Sequence, residues 1–328
     1  MGHMPEGRPD MAPPAVIAHA DWGCDPRKRV LAVASRAAAP VSAGPRYEVV
    51  SLAAAPDGDP GSATDLFSEL GRSYPRGRSL VGFDFTIGLP RAYAAAAGVE
   101  SFPAFLGLIG TGPWAEFERV AERPGEVSLH RPFYPQRPGG TSRAQLYAGL
   151  GLSARELRRR GDGNDAETLF WTLGAKQAGK ASLHGWRLLR QARARGLDVE
   201  LWPFDGSLSC LLAGGAPFVV VEAYPREFYR LMGVPRGSRW SKRRRDDRLL
   251  CIPALLDWAE SLGVGWEASI RRRVTAGFSD GPTGEDEFDS IVGMLGMISV
   301  VTETIPAGVP SDDPDVVTTE GWVLGRLG

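Results

Sequence analysis

Runs of apolar residues predict a set of strands in the first third of the chain. Three of them, at residues 15–20, 29–35 and 47–52, are joined by short polar or Gly- and Pro-containing connections. Connections of this kind are typical of an antiparallel meander. A segment with helical spacing, 62–74, precedes a fourth apolar run at 79–85, which predicts a helix followed by a fourth strand.

The remainder of the chain predicts further strands and longer helices. Residues 91–198 mix helical patches with Pro- and Gly-rich loops, and we interpret them as a largely helical insertion after the fourth strand. Strands are predicted at 198–202 and at 218–222, a continuous apolar run that suits a strand covered on both faces. Helices are predicted at 249–262 and 285–303. This order of elements predicts an α/β fold with a mixed sheet.

The last predicted helix opens with acids and then carries two glycines. On a helical wheel, Asp286, Asp289, Gly293 and Gly296 share one face. Acids at a helix start complement the helix dipole, but a glycine inside a helix costs roughly 1 kcal/mol relative to alanine. The pattern therefore has two interpretations: a dipole-favoured start with incidental glycines, or a helix that docks closely against something that needs two carboxylates. A separate, apolar stripe is expected to be buried, and it comprises Phe288, Ile291, Val292, Leu295 and Ile298.

Composition narrows the class of protein. The chain has 328 residues, of which 43% are hydrophobic and 23% charged, and its net charge is -1, so no global field attracts it to nucleic acid or membrane. It has no apolar run of about 18 residues, the length that a bilayer span needs. Residues 1–14 resemble a tag remnant with a disordered leader, and 15–328 are interpreted as a single domain. Three scattered cysteines without metal-binding spacing indicate a cytoplasmic protein.

Acidic residues recur where the predicted strands end. Asp21 follows the first strand, Asp84 lies at the end of the fourth, and Glu222 ends the continuous apolar run, while Asp286 and Asp289 open the last helix. Sites in open α/β sheets form outside the carboxyl ends of the strands. Carboxylates gathered there repel one another unless a cation neutralises them, and Mg²⁺ takes oxygen ligands. Taken alone, Asp21 and Asp84 could each end a strand at a turn, whereas Glu222 must point into a partnered or wet site. The ordered set predicts a divalent metal site.

Several blocks of the sequence resemble one known family. In order, they are ADWG, VGFDFTIGLP, WTLGAKQAGKASLHG, LWPFDG, VVVEAYPREFY, DEFDSIVGMLGM and TTEGWVLG. They are similar to the blocks of the family called domain of unknown function 429, which is described as a predicted RNase H-like nuclease. The resemblance runs from about residue 16 to residue 328. It implies an RNase H-like fold, in which a five-stranded mixed sheet with three antiparallel strands is flanked by helices.

The resemblance also implies a set of catalytic residues. In nucleases of the RNase H-like superfamily, acids on the first strand, the fourth strand and the last helix bind two Mg²⁺ or Mn²⁺ ions. By matching position, Asp21, Asp84 and Asp289 would be catalytic metal ligands, and Asp286 a further ligand. Glu222 would face the same cleft, as another ligand or as the residue that orients the attacking water. The implied activity is metal-dependent phosphodiester hydrolysis of a nucleic acid or nucleotide.

Basic and aromatic residues outside these acids are candidates for substrate contacts. The segment 174–182 is one residue from a Walker A loop, but Ala181 stands where the motif needs Ser or Thr, so anion contacts at a helix start are favoured over a P-loop. The basic run 236–248 predicts either phosphate contacts or a solvated loop. The candidate substrate-binding residues are Lys176, Lys180, Ser182, Lys242 and Trp22.

Two other functional classes remain open at this point. The aromatic-rich insertion could close the cleft over a small nucleotide or another metabolite, which would make the chain a pathway enzyme on the same fold. Alternatively, the acids could only form ion pairs with the abundant arginines of a non-catalytic binding protein.

Overall fold

A computed structural model of the chain describes residues 13–37, 47–56, 65–75, 77–163, 166–174, 178–235, 240–309 and 313–327. The predicted leader lies outside the described residues except for its last two positions. The substrate-contact candidate Lys176 and the first four residues of the basic run, 236–239, also lie outside them.

A mixed sheet of seven strands lies at the centre of the described residues. The strands are β1 (Val16–Asp21), β2 (Val30–Arg36), β3 (Tyr47–Ala54), β4 (Ser79–Phe83), β5 (Val199–Leu201), β6 (Phe218–Glu222) and β7 (Gly265–Trp266). Their spatial order is β5-β6-β4-β1-β2-β3-β7. Strand β2 is antiparallel to β1 and β3, and all other neighbours are parallel. The α/β class is confirmed, but the predicted count of five strands is wrong, because the short strands β5 and β7 extend the two edges.

Helices cover both faces of the sheet. The helices are α1 (Leu66–Ser73), α2 (Arg91–Ala97), α3 (Phe102–Leu108), α4 (Arg143–Leu150), α5 (Ala178–Ala194), α6 (Leu208–Ala213), α7 (Pro225–Phe228), α8 (Arg245–Leu249), α9 (Ile252–Ser261), α10 (Ala268–Thr275) and α11 (Gly281–Val301). Single turns of 3₁₀ helix lie at Pro26–Lys28, Gly112–Trp114 and Pro124–Glu126, and a π-helical turn lies at Val316–Glu320. None of the helices in the described ranges is long and apolar enough to cross a membrane.

The strands divide the interior into two hydrophobic cores, because successive side chains of a strand point to opposite faces. In β1, Ala18 and Ala20 belong to one core, and Ile17 belongs to the other. The first core is built with helices α2 to α5 of the insertion, and we call that side of the sheet the insertion face. The second core contains the apolar side chains of α11, and we call that side the α11 face. These two faces decide which strand-end residues can meet.

The insertion carries the aromatic cover that its composition predicts. Phe105 packs edge-to-face on Phe117, with ring centroids 5.0 Å apart, and Phe117 stacks on Trp186 at 6.1 Å. The indole Nε1–H of Trp186 donates to the carbonyl of Thr86, which follows β4, at 2.7 Å. Helix α5 is therefore fixed to the insertion face at the carboxyl end of the sheet.

Helix α11 begins earlier than its sequence pattern predicts. Its first residue is Gly281 instead of residue 285, with Asp280 at the N-cap and Pro282 in the first turn, which contains no acid. Asp286 and Asp289 consequently lie in the second and third turns, beyond the reach of the strongest dipole effect. The predicted apolar stripe is buried, and the helix is in fact buried on every side from Phe288 onward.

The two glycines of α11 stand where the helix touches its neighbours. A Cβ atom at Gly293 would lie within 3.0 Å of ring atoms of His19 in β1, and one at Gly296 within 3.0 Å of the Phe228 ring in α7. The hydroxyl of Ser290 also donates to the carbonyl of Val30 at 3.0 Å, which fixes the helix to β2. The structure thus supports the interpretation that the helix docks closely, since any side chain at Gly293 would push it away from β1.

We expect Gly293→Ala to destabilise the protein although alanine is the better helix former. Overpacking a filled interior typically costs about 1–3 kcal/mol, whereas the propensity gain is at most about 1 kcal/mol. The matched control is Gly107→Ala in α3, because a Cβ there meets nothing within 4 Å. Urea unfolding should show a loss for the first variant and a small gain for the second. A stabilised Gly293→Ala protein would contradict the close contact.

Candidate functional site

Two predicted site residues meet at the carboxyl ends of β1 and β4. Ala20 of β1 is paired with Phe83 of β4, so the residues that follow them, Asp21 and Asp84, are neighbours. By the alternation of the strands both point to the α11 face, on the same side as Ile17. The backbone N–H of Trp22 donates to Asp84 Oδ1 at 2.7 Å, which holds that carboxylate in place.

Helix α11 brings two more carboxylates to the same place. Charge on Asp84, Asp289 and Asp286 adds to burial in raising the pKa of Asp21 well above its usual range, which shows that the four aspartates lie within electrostatic reach of one another. Burial is the main cause that raises the pKa of Asp84 to about 6 and that of Asp286 to about 7. We call Asp21, Asp84, Asp286 and Asp289 the aspartate cluster.

The Asp289 carboxylate accepts hydrogen bonds from one lysine and one tyrosine. The ammonium of Lys242 donates to Asp289 Oδ2, and the hydroxyl of Tyr229 donates to Oδ1. Lys242 Nζ also lies 3.2 Å from Glu285 Oε1. Lys242 is a predicted substrate contact. Tyr229 is not among the predicted site residues, although Tyr229 is the last residue of the VVVEAYPREFY block. In this structure Lys242 is the counter-ion of the cluster.

A buried histidine, His19, lies beneath the cluster. The sequence pattern does not predict its structural role. His19 lies on the α11 face of β1, two residues before Asp21, and is fully buried. Its Nε2 lies 2.8 Å from the carbonyl oxygen of Ala223, and burial lowers its pKa to about 4. The ring is therefore neutral near pH 7, and it links β1 to the end of β6 beneath α11.

Glu222 is the member of the predicted set that lies elsewhere. It pairs with Phe83, and both point to the insertion face, so alternation places it on the opposite side of the sheet from Asp21 and Asp84. Both of its oxygens are taken by Arg159, at 2.6 and 2.8 Å, and the N–H of Ile87 donates at 2.7 Å. The expectation that Glu222 faces the same cleft as a catalytic residue is wrong; it anchors the insertion.

Three of the substrate-binding candidates are also placed differently. The Trp22 ring is 1% exposed, packs edge-to-face on Phe83 and lies under the guanidinium of Arg29 at 4.1 Å, so it cannot stack on a ligand. Ser182 is fully buried within α5. Lys180 is half-buried in the first turn of that helix. Since α5 covers the insertion face, its residues do not face the cluster.

The P-loop alternative and the basic run both lose support. Residues 166–173 form no strand of the sheet before α5, as a P-loop requires, although 218–222 is a strand as predicted. In the basic run, the guanidinium of Arg248 is buried and donates to three carbonyl groups, and Arg244 pairs with Asp247. Much of this charge is therefore used to fold the segment that carries Lys242.

The donor types of the cluster suit a hard divalent cation. Carboxylate oxygens are the ligands that Mg²⁺ and Mn²⁺ prefer, and the Asp286 Oδ2 atom is buried without a hydrogen-bond partner. Within the ranges that the structure describes, however, no three His, Cys, Asp or Glu side chains are grouped so that they could hold one metal ion together. The chemistry of the donors fits a metal, and the arrangement with Lys242 in place does not form a complete ligand shell.

We expect Asp286→Asn to stabilise the metal-free protein at neutral pH and above. A carboxyl whose pKa is raised on folding contributes stability that is present at low pH and is lost as pH rises through the folded value, here from about 4 to about 7. Denaturant unfolding in chelator should show no gain at pH 4 and a gain at pH 8. Asp280→Asn is the control, because that side chain is 84% exposed at the start of the same helix. An equal gain at both pH values would contradict the electrostatic account.

We expect Glu222→Gln to unfold more easily, because it leaves the buried Arg159 without its fully buried partner. Removing one member of a buried ion pair costs about 3 kcal/mol or more. Arg159 also pairs with Asp162 at 2.8 Å, and that carboxylate is partly exposed. The double variant Glu222→Met with Arg159→Met should regain part of that loss, because the only charge of this group left without its partner, that of Asp162, can be hydrated. Urea unfolding measures both. A Glu222→Gln protein as stable as the wild type would show that this ion pair contributes nothing.

Comparison with known proteins leaves the site to be interpreted from its own geometry. No family model matches the chain, and no match is found among curated proteins or among solved structures. The resemblance to the family called domain of unknown function 429 therefore stays a prediction. The aspartate cluster, together with Lys242 and Tyr229, is the part of the molecule from which a function can be argued.

Proposed function

We propose that the chain is a divalent-metal-dependent phosphodiester hydrolase with an RNase H-like core. The strand order β3-β2-β1-β4-β6, with the antiparallel meander of β1 to β3, supports that core. So does the packing of α11 across β1 and β2. In this proposal β5 and β7 are additions at the edges of a five-stranded sheet, and residues 91–198 are an insertion that covers the face opposite the site.

The convergence of four aspartates on one face carries the proposal. They come from the first strand, the end of the fourth and the last helix, and each of Asp21, Asp84 and Asp286 has a raised pKa in their company. Buried like charges are unfavourable, and such arrangements occur mainly at functional sites. Bound Mg²⁺ or Mn²⁺ would supply Lewis-acid activation of a phosphodiester and of water. The proposal requires that the cation draw the carboxylates together.

The residues of the chain would hold the reacting groups in different ways. Asp21 and Asp84 are fixed by the strands, and Asp84 additionally by the N–H of Trp22. Asp289 is oriented by the hydroxyl of Tyr229 and, across the cluster, by Lys242. Lys242 is also the candidate for contact with an anionic substrate, because its ammonium lies against the carboxylates of Asp289 and Glu285.

The ion-pair alternative explains two acids of the predicted set but not the whole cluster. Arg159 neutralises Glu222, and Lys242 pairs with Asp289. Asp21, by contrast, has neither a hydrogen bond nor an ion pair from its side chain within the described residues, although burial and three other aspartates raise its pKa. If the acids only formed ion pairs, the Asp21 carboxyl would have a cationic partner and would not lie beside three other carboxyl groups.

We expect phosphodiester hydrolysis to depend on Mg²⁺ or Mn²⁺ and to disappear in chelator. Asp21→Asn and Asp289→Asn should each reduce turnover by about a hundredfold or more, the scale of a lost electrostatic contribution to catalysis. Asp198→Asn is the matched control, because that residue is exposed beside the edge strand β5, whereas the cluster lies at the central strands β1 and β4. The substrates are single- and double-stranded DNA and RNA and a small phosphodiester, each tested with both metals.

Two outcomes separate the remaining possibilities. A rate that falls steeply with salt indicates a polymer held through several phosphates, whereas a shallow dependence indicates a nucleotide-sized substrate. Turnover that survives both chelation and Asp21→Asn would refute the metal assignment.

A further inference from the structure

We propose that the ammonium of Lys242 is an exchangeable cation of the aspartate cluster, which a divalent metal ion must displace before the site can act. The inference rests on the proposed metal site and deepens it, because it states what holds the site closed in the absence of metal. The inference also gives the Lys242 side chain two positions. Without metal its ammonium pairs with Asp289, and after metal binding it is available to bind an anion.

Competition follows from the occupancy of Asp289. Its Oδ2 accepts from the Lys242 ammonium and its Oδ1 from the Tyr229 hydroxyl, so each oxygen already has one donor. Each oxygen keeps a second lone pair, but a divalent ion bound there would lie within a few ångströms of both donors. Lys242 is the one that must leave, since two cations a few ångströms apart repel strongly in a partly buried site, whereas a neutral hydroxyl does not.

A single ammonium does not neutralise the cluster. Lys242 also pairs with Glu285, which Arg243 approaches at 3.3 Å. A lysine ammonium is charged at neutral pH, and the two carboxylates that contact it, those of Asp289 and Glu285, favour that charge. The Asp286 Oδ2 atom nevertheless remains buried without a partner. The cluster therefore has capacity for a more highly charged cation than the one it holds.

The side chain can leave without a change in the backbone. The carbonyl of Lys242 accepts from Arg248 Nη1 at 2.6 Å, and the N–H of Ser241 donates to Asp247 at 2.7 Å, so the backbone on both sides is fixed. The Lys242 side chain is 32% exposed, which gives it a path to solvent. Lysine carries its charge on a flexible four-carbon stem, so rotation about side-chain bonds alone can complete the exchange.

Calorimetric titration of the full chain with Mn²⁺ tests this. We expect Lys242→Met to bind Mn²⁺ at least about fivefold more tightly than the wild type, the lower end of ordinary coupling between two ligands. Arg243→Met is the matched control: it removes the same charge one residue later, but its partner is Glu285 and not Asp289. It should change the affinity by less than Lys242→Met does.

A second measurement uses the wild-type side chains. The chain has lysines only at positions 28, 176, 180 and 242, so reductive ¹³C-methylation gives few NMR signals, and a Lys242→Arg protein assigns the relevant one. We expect Lys242 to be protected from methylation without metal and to react once Mg²⁺ is added, while Lys180, in the helix on the insertion face, reacts equally in both conditions.

The outcomes distinguish this inference from the metal proposal. If Mn²⁺ binds but Lys242→Met binds it no more tightly, and Mg²⁺ leaves the methylation of Lys242 unchanged, the exchange is refuted and the metal site stands. If neither protein binds Mn²⁺, the metal site is refuted and the exchange with it.

Discussion

The close contact between α11 and β1 is the constraint on which the aspartate face depends. Gly293 lets the helix backbone rest on the ring of His19, and Ser290 fixes its rotation against Val30. A helix that sits at this depth and rotation carries Asp286 and Asp289 to the strand ends that bear Asp21 and Asp84. A helix held even slightly further away would leave the two pairs of carboxylates apart and individually solvated. The glycines are therefore as important for the site as the acids.

Packing in this protein works against electrostatics. The apolar side chains of α11 are buried between the sheet and the surrounding helices, and this burial stabilises the fold. The same contact buries carboxylates close together, and the pKa values of Asp84 and Asp286 are raised first by that burial and then by the charge of neighbouring acids. This electrostatic repulsion is confined to one face, because the acid on the other face, Glu222, pairs with Arg159.

Much of the fold was predictable because strands and the docking helix carry strong periodic signals. The pattern predicts the strands β1 to β6, including the short β5, and the buried stripe of α11, and all of these are confirmed. The two-residue strand β7 carries no signal of its own, because only its neighbour β3 makes it a strand. The start of α11 was placed four residues too late, although Gly281-Pro282 is a recognisable helix opening.

The sequence predicts which aspartates come together, but it does not predict the face of the sheet to which each strand-end side chain points. The ends of the strands could be located from the pattern, whereas the direction in which each terminal side chain points depends on pairing between strands. That is why Glu222 and Trp22 were grouped with Asp21 when alternation sends them to the insertion face. The partners of Asp289 come from Tyr229 and Lys242, at separations of 60 and 47 residues, and no local spacing indicates such contacts.

The hydrogen bond from Ser290 to Val30 joins residues 260 positions apart, and this separation has a consequence for biosynthesis. During translation β1 and β2 leave the ribosome long before α11, so one face of the nascent sheet stays open while the intervening residues are made. That face bears Ile17 and Leu80, which would be exposed to water and to other chains in the interval. Exposed apolar surface of this kind is prone to aggregation, and the aspartate cluster can form only after α11 has left the ribosome.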